Sequence, residues 1–312
     1  MKKAGIIGGS GFIGSYITNT FLNHGYQVKV STTDISRKDK YEHLMTLKNA
    51  ENLYISELDV TDKKTLKDFV SDCDIVVHGG TPFILDVQDP KIQLFDPTIK
   101  GTENFLQVIN KTPSIEKVVF IASVAGWNTN FPFPPGGKSF TDAVDENDTR
   151  FTSTESHPYA QAKFLANQTV QQFIADNPKT HFEISSVSPV AVMGKSLSKR
   201  EDSTSSGLQF LIKNNMAPND FMKALYKNDV PFAIVDVEDV ANAIYKLATT
   251  HGLHGKDYLL SSETYKISDM QAMLNQCEPK EEPSIVYKND LAKTDLNMEF
   301  KPVKLTLQQY SN

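Results

Sequence analysis

Ala4-Gly5-Ile6-Ile7-Gly8-Gly9-Ser10-Gly11-Phe12-Ile13-Gly14 stands near the start of the chain, and its order decides the fold. The apolar run Ala4–Ile7 predicts a strand. After the glycines, Phe12, Ile13, Tyr16, Ile17 and Phe21 recur at near-helical spacing and predict a helix over Ile13–Asn23. Each spaced glycine has a physical task in such a turn. Gly8 permits the tight bend, Gly11 lets a pyrophosphate approach the backbone, and Gly14 lets the helix pack closely on the sheet. The helix N-terminus then offers its N–H groups and its positive dipole end to phosphates. Strand before and helix after are the context that gives a glycine triplet meaning. Gly8, Ser10, Gly11, Phe12 and Ile13 are therefore expected to contact a dinucleotide.

Working outward, short β-branched runs alternate with amphipathic stretches over the first two thirds of the chain. Strands are expected at Gln27–Val30, Leu53–Leu58, Ile75–His78, Lys117–Ala122 and Phe182–Val187. Helices are expected at Lys64–Val70, Pro97–Ile109 and Tyr159–Asp176. Strands this apolar need cover on both faces, which means a parallel sheet between helices. The fold class expected is α/β, a doubly wound Rossmann sheet with a smaller C-terminal α/β substrate-binding cap. Residues 1–189 with 231–250 are assigned to the nucleotide domain, and 190–230 with 251–312 to the cap. From about Lys195 the alternation weakens, apart from a short helix near Ala241–Thr249. Asn128–Arg150, rich in Pro, Gly and Asn, is too broken for a regular element, and a loop of that length commonly builds a binding site.

Bulk properties narrow the function classes. The chain has 312 residues, 39% hydrophobic and 22% charged, which is ordinary for a folded domain. A net charge of −6 without a basic stripe argues against nucleic acid. No apolar run reaches the roughly 20 residues that span a bilayer. Met1-Lys2-Lys3 resembles the charged end of a signal peptide, but glycines at 8, 9 and 11 break the apolar run that follows. Cys73 and Cys277 form neither a metal spacing nor a disulfide framework. A soluble cytoplasmic protein is expected, with no metal, no membrane and no nucleic-acid partner.

A second constellation carries chemistry. His157-Pro158-Tyr159-Ala160-Gln161-Ala162-Lys163 places Tyr159 and Lys163 four residues apart on one helix face. A phenol with a free pKa of about 10 is a poor proton donor near pH 7. An ammonium held beside it favours the phenolate, and a depression of about two or three units would poise it for general acid–base work. Ser123, at the end of the run Val118–Ala122, adds a hydroxyl to polarise a substrate oxygen. Parallel strands present ligands at their carboxyl ends, so Ser123 should emerge at the same rim as the glycine turn. His157, just before Pro158, reads as a residue where the chain enters the helix.

The adenosine side is less decided. An acidic residue closing the second strand favours NAD, and an Arg there favours NADP. The chain reads Ser31-Thr32-Thr33-Asp34-Ile35-Ser36-Arg37-Lys38. Thr33 is neutral, Asp34 points to NAD, and Arg37, Lys38 and Lys40 could hold a 2′-phosphate. NADP is the first expectation, with NAD possible. Asp59 and Val60 would flank the adenine.

On these residues the chain resembles the extended short-chain dehydrogenase/reductases, nearest their dihydroflavonol-reductase-like branch. The resemblance runs through Gly8–Gly14, His78-Gly79-Gly80-Thr81-Pro82, Pro97–Thr102, Ser123, Tyr159 with Lys163, Ser188–Gly194, Val235–Ala241 and Gly255–Leu260. It implies that Gly79, Thr81 and Pro82 lie along the nicotinamide ribose, and Pro189–Val192 beside the nicotinamide. It also implies Tyr159 as proton donor, Lys163 as support for phenolate and ribose, and Ser123 as carbonyl polariser. Departures bear on the details. The Arg of NADP-dependent members aligns with Thr33, and Glu155-Ser156-His157-Pro158-Tyr159 lacks the aromatic and Cys-containing stretch of cinnamoyl-CoA reductases. Asn128 falls where dihydroflavonol reductases contact the flavonoid ring, and Trp127 could line a substrate pocket.

The first functional expectation is a carbonyl reductase, or in reverse an alcohol dehydrogenase, acting on a small-molecule ketone or aldehyde. The alternatives are a sugar-nucleotide epimerase or dehydratase that retains NAD, and a catalytically silent NADP-binding sensor. Dehydratases need an acidic pair beside the catalytic hydroxyl, and Ser123 is followed by Val124-Ala125. The chain is expected to be a monomer or homodimer, with Asn104–Ile109 and Ala160–Ile174 as possible dimer faces.

Overall fold

The computed structural model describes residues 1–79, 88–200 and 204–310. The first half builds β1 (Lys3–Ile7), α1 (Phe12–Asn23), β2 (Gln27–Thr32), β3 (Leu53–Glu57), α2 (Lys63–Val70), β4 (Ile75–His78), α3 (Asp96–Ile109), β5 (Lys117–Ile121) and α4 (Pro158–Asp176). The second half adds β6 (Glu183–Pro189), β7 (Ala191–Met193), α5 (Thr204–Lys213), α6 (Asp220–Lys227), β8 (Pro231–Asp236), α7 (Val237–Thr249) and β9 (Asp257–Leu260). It closes with β10 (Glu263–Lys266), α8 (Ile267–Leu274), α9 (Asp290–Leu296) and α10 (Val303–Tyr310).

Seven strands form one sheet in the order β3-β2-β1-β4-β5-β6-β9, and all its pairings are parallel. The order reverses between β1 and β4. Loops leaving the carboxyl ends of these two strands diverge there and open a crevice, the usual ligand position in such sheets. On one face α1 and α7 bury Ile17, Phe21, Ile244 and Leu247 with Val28 and Tyr258 of the sheet. On the other, α2, α3 and α4 bury Leu66, Phe69, Phe105, Ile109 and Val170 against Val76, Val118 and Ile184. Phe69 and Phe105 are completely enclosed, each such ring contributing about 1.5–3 kcal/mol. Side-chain caps set several helix starts: Asp62 accepts from Lys64 N at 2.8 Å, and Asp236 from Glu238 N at 2.8 Å. Gly25, at φ +78°, turns the chain after α1 in a conformation that favours glycine.

A second sheet, β10-β8-β7, has its own core of Met193, Ile212, Met222, Leu225, Phe232, Met270, Val303 and Leu307. Two strands lie on the other side of the expected boundary. β9 belongs to the large sheet, paired with β6, although 251–312 was assigned to the cap. β8 belongs to the small sheet, although 231–250 was assigned to the nucleotide domain. Only the α7 part of that segment covers the large sheet. The chain thus crosses between the layers more often than a simple split by sequence allows. Strands of three or four residues, such as β7 and β10, leave too short a pattern to be read.

Among the described residues no helix is long and apolar enough to cross a membrane, and no cluster of His, Cys, Asp or Glu could hold a metal ion. Cys73 is buried and its thiol is pushed up to about 12 by desolvation, while Cys277 is exposed.

Candidate active site

The bend after β1 is built as its glycines require. Gly8 has φ +81°, and its N–H donates to Ser31 Oγ at 3.0 Å, fastening the turn to the end of β2. A Cβ on Gly14 would stand 2.1 Å from Gly8 O and 2.7 Å from Gly9 Cα, so only glycine allows α1 to start this close to the turn. Gly11 caps α1 in an extended conformation with no side chain over the helix end, and no acidic residue occupies the first turn. The dipole end of α1 therefore faces the crevice without a local negative charge. Ser15 Oγ donates to Gly11 O at 2.7 Å and meets His43 Nε2 at 2.8 Å.

Ser123 follows β5 with φ −164° and ψ 154°, extended backbone that carries it off the sheet end. Its Oγ accepts from Ala125 N at 3.2 Å, which leaves the hydroxyl hydrogen to be donated elsewhere. Tyr159 and Lys163 share one face of α4, with Lys163 Nζ 5.8 Å from the centre of the Tyr159 ring. His157 caps α4, its Nδ1 accepting from Tyr159 N at 3.2 Å, and Pro158 fills the first helical position. The imidazole thus fixes the helix start directly beneath the phenol. Burial pushes the Tyr159 phenol above its ordinary range and lowers the Lys163 ammonium to about 8. The protein environment alone therefore raises the phenol, opposite in sign to the depression expected from a neighbouring ammonium. Behind Lys163, His78 is pushed down to about 4, first by burial and then by the Lys163 charge, and packs between Phe105 and Phe120.

One cleft of about 390 Å³ joins these parts. It is lined by Gly8, Ser10, Gly11, Phe12 and Ile13 at one end, and by Ser123, Tyr159 and Lys163 at the other. Gly79 after β4, Pro189 at the end of β6 and Val192 in β7 also line it. A larger groove of about 860 Å³ lies along α3 and α4, and none of these side chains lines it.

Several expected residues lie elsewhere. Thr33 is exposed beyond β2 and does not line the cleft. Arg37 is exposed and bonds Asp39 in two places at 2.9 Å. Asp59 is exposed and accepts from Thr61 N and Oγ1 at 2.8 and 2.7 Å, and neither it nor Val60 reaches the cleft wall. Thr81 and Pro82 lie outside the described residues. Asn128 is corrected from substrate contact to packing residue. It is fully buried, its amide donating to Phe133 O at 2.8 Å and Tyr287 Oη at 2.9 Å while its carbonyl accepts from Asn130 N. Trp127 is likewise in the core, stacked under the Arg150 guanidinium at 3.9 Å. Among the described residues, none of loop 128–150 lines the cleft, because Phe131 packs on Phe232 and Tyr287 instead.

The structure adds a segment that sequence reasoning missed. Ser196, Ser198, Arg200 and Ser205, from the stretch after β7 and the start of α5, close the nucleotide end of the cleft. The Arg200 guanidinium reaches Lys40 O at 3.0 Å and Ser10 O at 3.4 Å, bridging the loop after β2 and the glycine turn. Tyr16 Oη donates to Lys195 O at 2.6 Å and holds the segment on α1. His43 beside it is lowered first by burial and then by the Arg200 charge. This stretch has no apolar period and no motif, so nothing in its local pattern marked it.

Comparison with known proteins agrees with the topology. The model of the NAD dependent epimerase/dehydratase family matches residues 4–261. A cinnamoyl-CoA reductase of Medicago truncatula is 30% identical over 259 residues, covering 80% of this chain and 74% of the relative. An anthocyanidin reductase of Arabidopsis thaliana is 28% identical over 288 residues, covering 89% and 81%. Among solved structures, yeast methylglyoxal/isovaleraldehyde reductase Gre2 complexed with NADPH superposes with a TM-score of 0.80 at 21% identity, over 99% of this chain and 97% of that one.

Proposed function

This chain belongs to the NAD dependent epimerase/dehydratase family, and on that premise we propose that it is a carbonyl reductase acting on a small ketone or aldehyde. The observation that carries the reading is the single cleft that places the glycine turn at one end and Ser123, Tyr159 and Lys163 at the other. The curated relatives named above are reductases, and Gre2 was solved with NADPH, which supports a nicotinamide nucleotide here. The residues present fit such a group: the Gly8–Gly14 cradle has no room for a Cβ, and the first turn of α1 carries no acid.

A reduced nicotinamide nucleotide held by the Gly8–Gly14 turn would supply hydride for the carbonyl carbon. The protein manages the oxygen. Ser123 donates its hydroxyl hydrogen to the carbonyl oxygen and polarises it. Tyr159 gives that oxygen its phenolic proton as the alcohol forms. Lys163, still mostly protonated near pH 7 with its pKa at about 8, places positive charge beside the phenolate left behind. Pro189 and Val192 close one wall and exclude water from the reacting atoms. In the reverse direction Tyr159 takes the proton and the same site oxidises an alcohol.

NADP is the preferred nucleotide in this reading, with NAD as the alternative. Arg200 replaces the expected Arg37 as the cationic contact, because it stands in the cleft while Arg37 is held outside by Asp39. A dehydratase, which needs an acidic pair to remove water, is disfavoured by the absence of Asp or Glu from the cleft wall among the described residues.

The test is a titration of the purified protein with NADPH and NADH by nicotinamide fluorescence, followed by a panel of ketones, aldehydes and one acyl-CoA thioester. Oxidation of the bound nucleotide by a ketone or aldehyde supports the reading. Tight binding with no oxidation by any carbonyl overturns it.

A further inference from the structure

Arg150 ends the long loop that follows Asn128, and its guanidinium reaches three separate elements. One nitrogen donates to Gly126 O at 3.1 Å, in the turn that Ser123 caps, and also to Asn167 Oδ1 on α4. The other donates to Asp257 Oδ2 at 2.9 Å, at the start of β9. Asp257 is itself almost fully enclosed. Its Oδ2 also accepts from Asn167 Nδ2 at 2.9 Å, and its Oδ1 from Ser188 Oγ at 2.8 Å. Asn167 and Ser188 are buried, and the Arg150 plane lies 3.9 Å over Trp127.

Three of the segments held by this cluster, those of Gly126, Asn167 and Ser188, each carry a cleft residue a few positions away. Gly126 is three residues after Ser123, and Asn167 is one turn beyond Lys163. Ser188 immediately precedes Pro189. We propose that the Arg150–Asp257 cluster is the positioning centre of the active site, fixing Ser123, Tyr159 with Lys163, and Pro189 relative to one another. A guanidinium suits this task because its several donors lie in one plane at fixed angles and spread over the three acceptors, whereas an ammonium concentrates its donors on one atom. Asp257 then balances the charge and orders the amide of Asn167. Loop 128–149 is tethered to the same point, so the segment packed on the cap moves only with the catalytic frame.

This inference rests on the reductase reading, and two readouts keep the two separable. In the first, steady-state reduction is compared for wild type, Arg150→Ala, Arg150→Lys and Ser188→Ala. Arg150→Ala is expected to lower kcat at least tenfold while the NADPH dissociation constant changes less than threefold. Added guanidinium ion, at concentrations that leave the wild type unaffected, restores part of the lost kcat in Arg150→Ala, and ammonium does not. Arg150→Lys falls between, and Ser188→Ala loses a few-fold. Should Arg150→Ala not fold, the Lys and Ser188 variants carry the comparison. In the second, amide hydrogen exchange is followed in the nucleotide-free protein. Residues 123–127, 157–167 and 186–190 are expected to exchange faster together in the Arg150 variants, while β1 and β2 keep their protection.

Unchanged kcat per folded molecule with only a lower melting temperature would overturn the proposal, as would faster exchange confined to 148–151. If the wild type binds nucleotide and reduces no carbonyl, the reductase reading fails alone. The exchange pattern then decides whether the cluster holds the three segments together.

Discussion

The two ends of the cleft are built in different ways. At one end, Ser123, Tyr159, Lys163 and Pro189 sit on strand termini and on one long helix, positioned by a parallel sheet whose strands are enclosed on both faces. At the glycine-turn end the wall comes from that turn, the start of α1 and Arg200, a residue delivered by the segment after β7 and about 190 positions from the turn it touches. Strand ends and one helix hold the proposed catalytic side chains, whereas a loop segment holds Arg200 beside the glycine turn. The difference also separates what is expected to tolerate substitution from what is not.

The largest effect is expected at the end that holds Tyr159. Tyr159→Phe should lower kcat by about 10²–10⁴-fold, the range for removing one positioned acid, with NADPH affinity within threefold. Stopped-flow reduction and fluorescence titration measure the two quantities separately, and a kcat within fivefold of wild type would assign the proton to another group. Gly14→Ala comes next. The added methyl meets Gly8 O at 2.1 Å, backbone that cannot swing aside, so the turn must open at a cost of about 1–3 kcal/mol. The expected readout is a lower denaturation midpoint together with loss of most nucleotide affinity.

At the glycine-turn end the effects of side-chain removal are smaller and selective. Arg200→Ala should weaken NADPH about tenfold, the order of one charge-assisted hydrogen bond, and leave NADH within twofold. Arg37→Ala should change neither by more than twofold, since its exposed pair with Asp39 contributes little. If Arg37 proves the stronger of the two, the cationic contact returns to the loop after β2.

A further expectation concerns pH. Burial holds Lys163 at about 8, below its unfolded value near 10.5. Between these values the unfolded chain binds the proton and the folded chain does not, so this group makes stability rise with pH from about 8 to about 10.5. Below pH 8 the charged side chain is buried in the folded state and costs stability. Denaturant titrations of wild type and Lys163→Met across pH 7 to 10 should show that rise in the wild type and a flatter trend in the variant.

The same contrast explains how much was legible in the sequence. The Gly8–Gly14 turn and the Ser123, Tyr159 and Lys163 set could be read because backbone geometry dictates their spacing. The strand–turn–helix order fixes the first, and one helix turn fixes the second. The starts of α3 and α4 were missed by one residue because a proline sits at or beside the first helical position in each. Asn128 and Trp127 follow a strand end that faces the cleft; the resemblance to dihydroflavonol reductases puts Asn128 at the substrate, and nearness to Ser123 does the same for Trp127. The chain turns inward after Ser123, and both side chains are spent on packing loop 128–150 against Tyr287 and Arg150. Arg200 and the Arg150–Asp257 cluster join residues far apart in sequence, so no local period could announce them. The exchange of β8 and β9 between the two layers was hidden for the same reason, because a strand of four residues carries no sign of its partner.

The most direct measurement is a single-turnover experiment with preformed enzyme–NADPH complex mixed with a carbonyl substrate selected from the panel. Nicotinamide absorbance and product are followed together, in wild type and in Tyr159→Phe. The expected result is one equivalent of nucleotide oxidised for each alcohol formed in the wild type, and a rate at least a hundredfold lower in the variant. Nucleotide that stays reduced while a substrate is epimerised or dehydrated, or equal rates in the two proteins, would contradict the reading of this cleft as a reductase site.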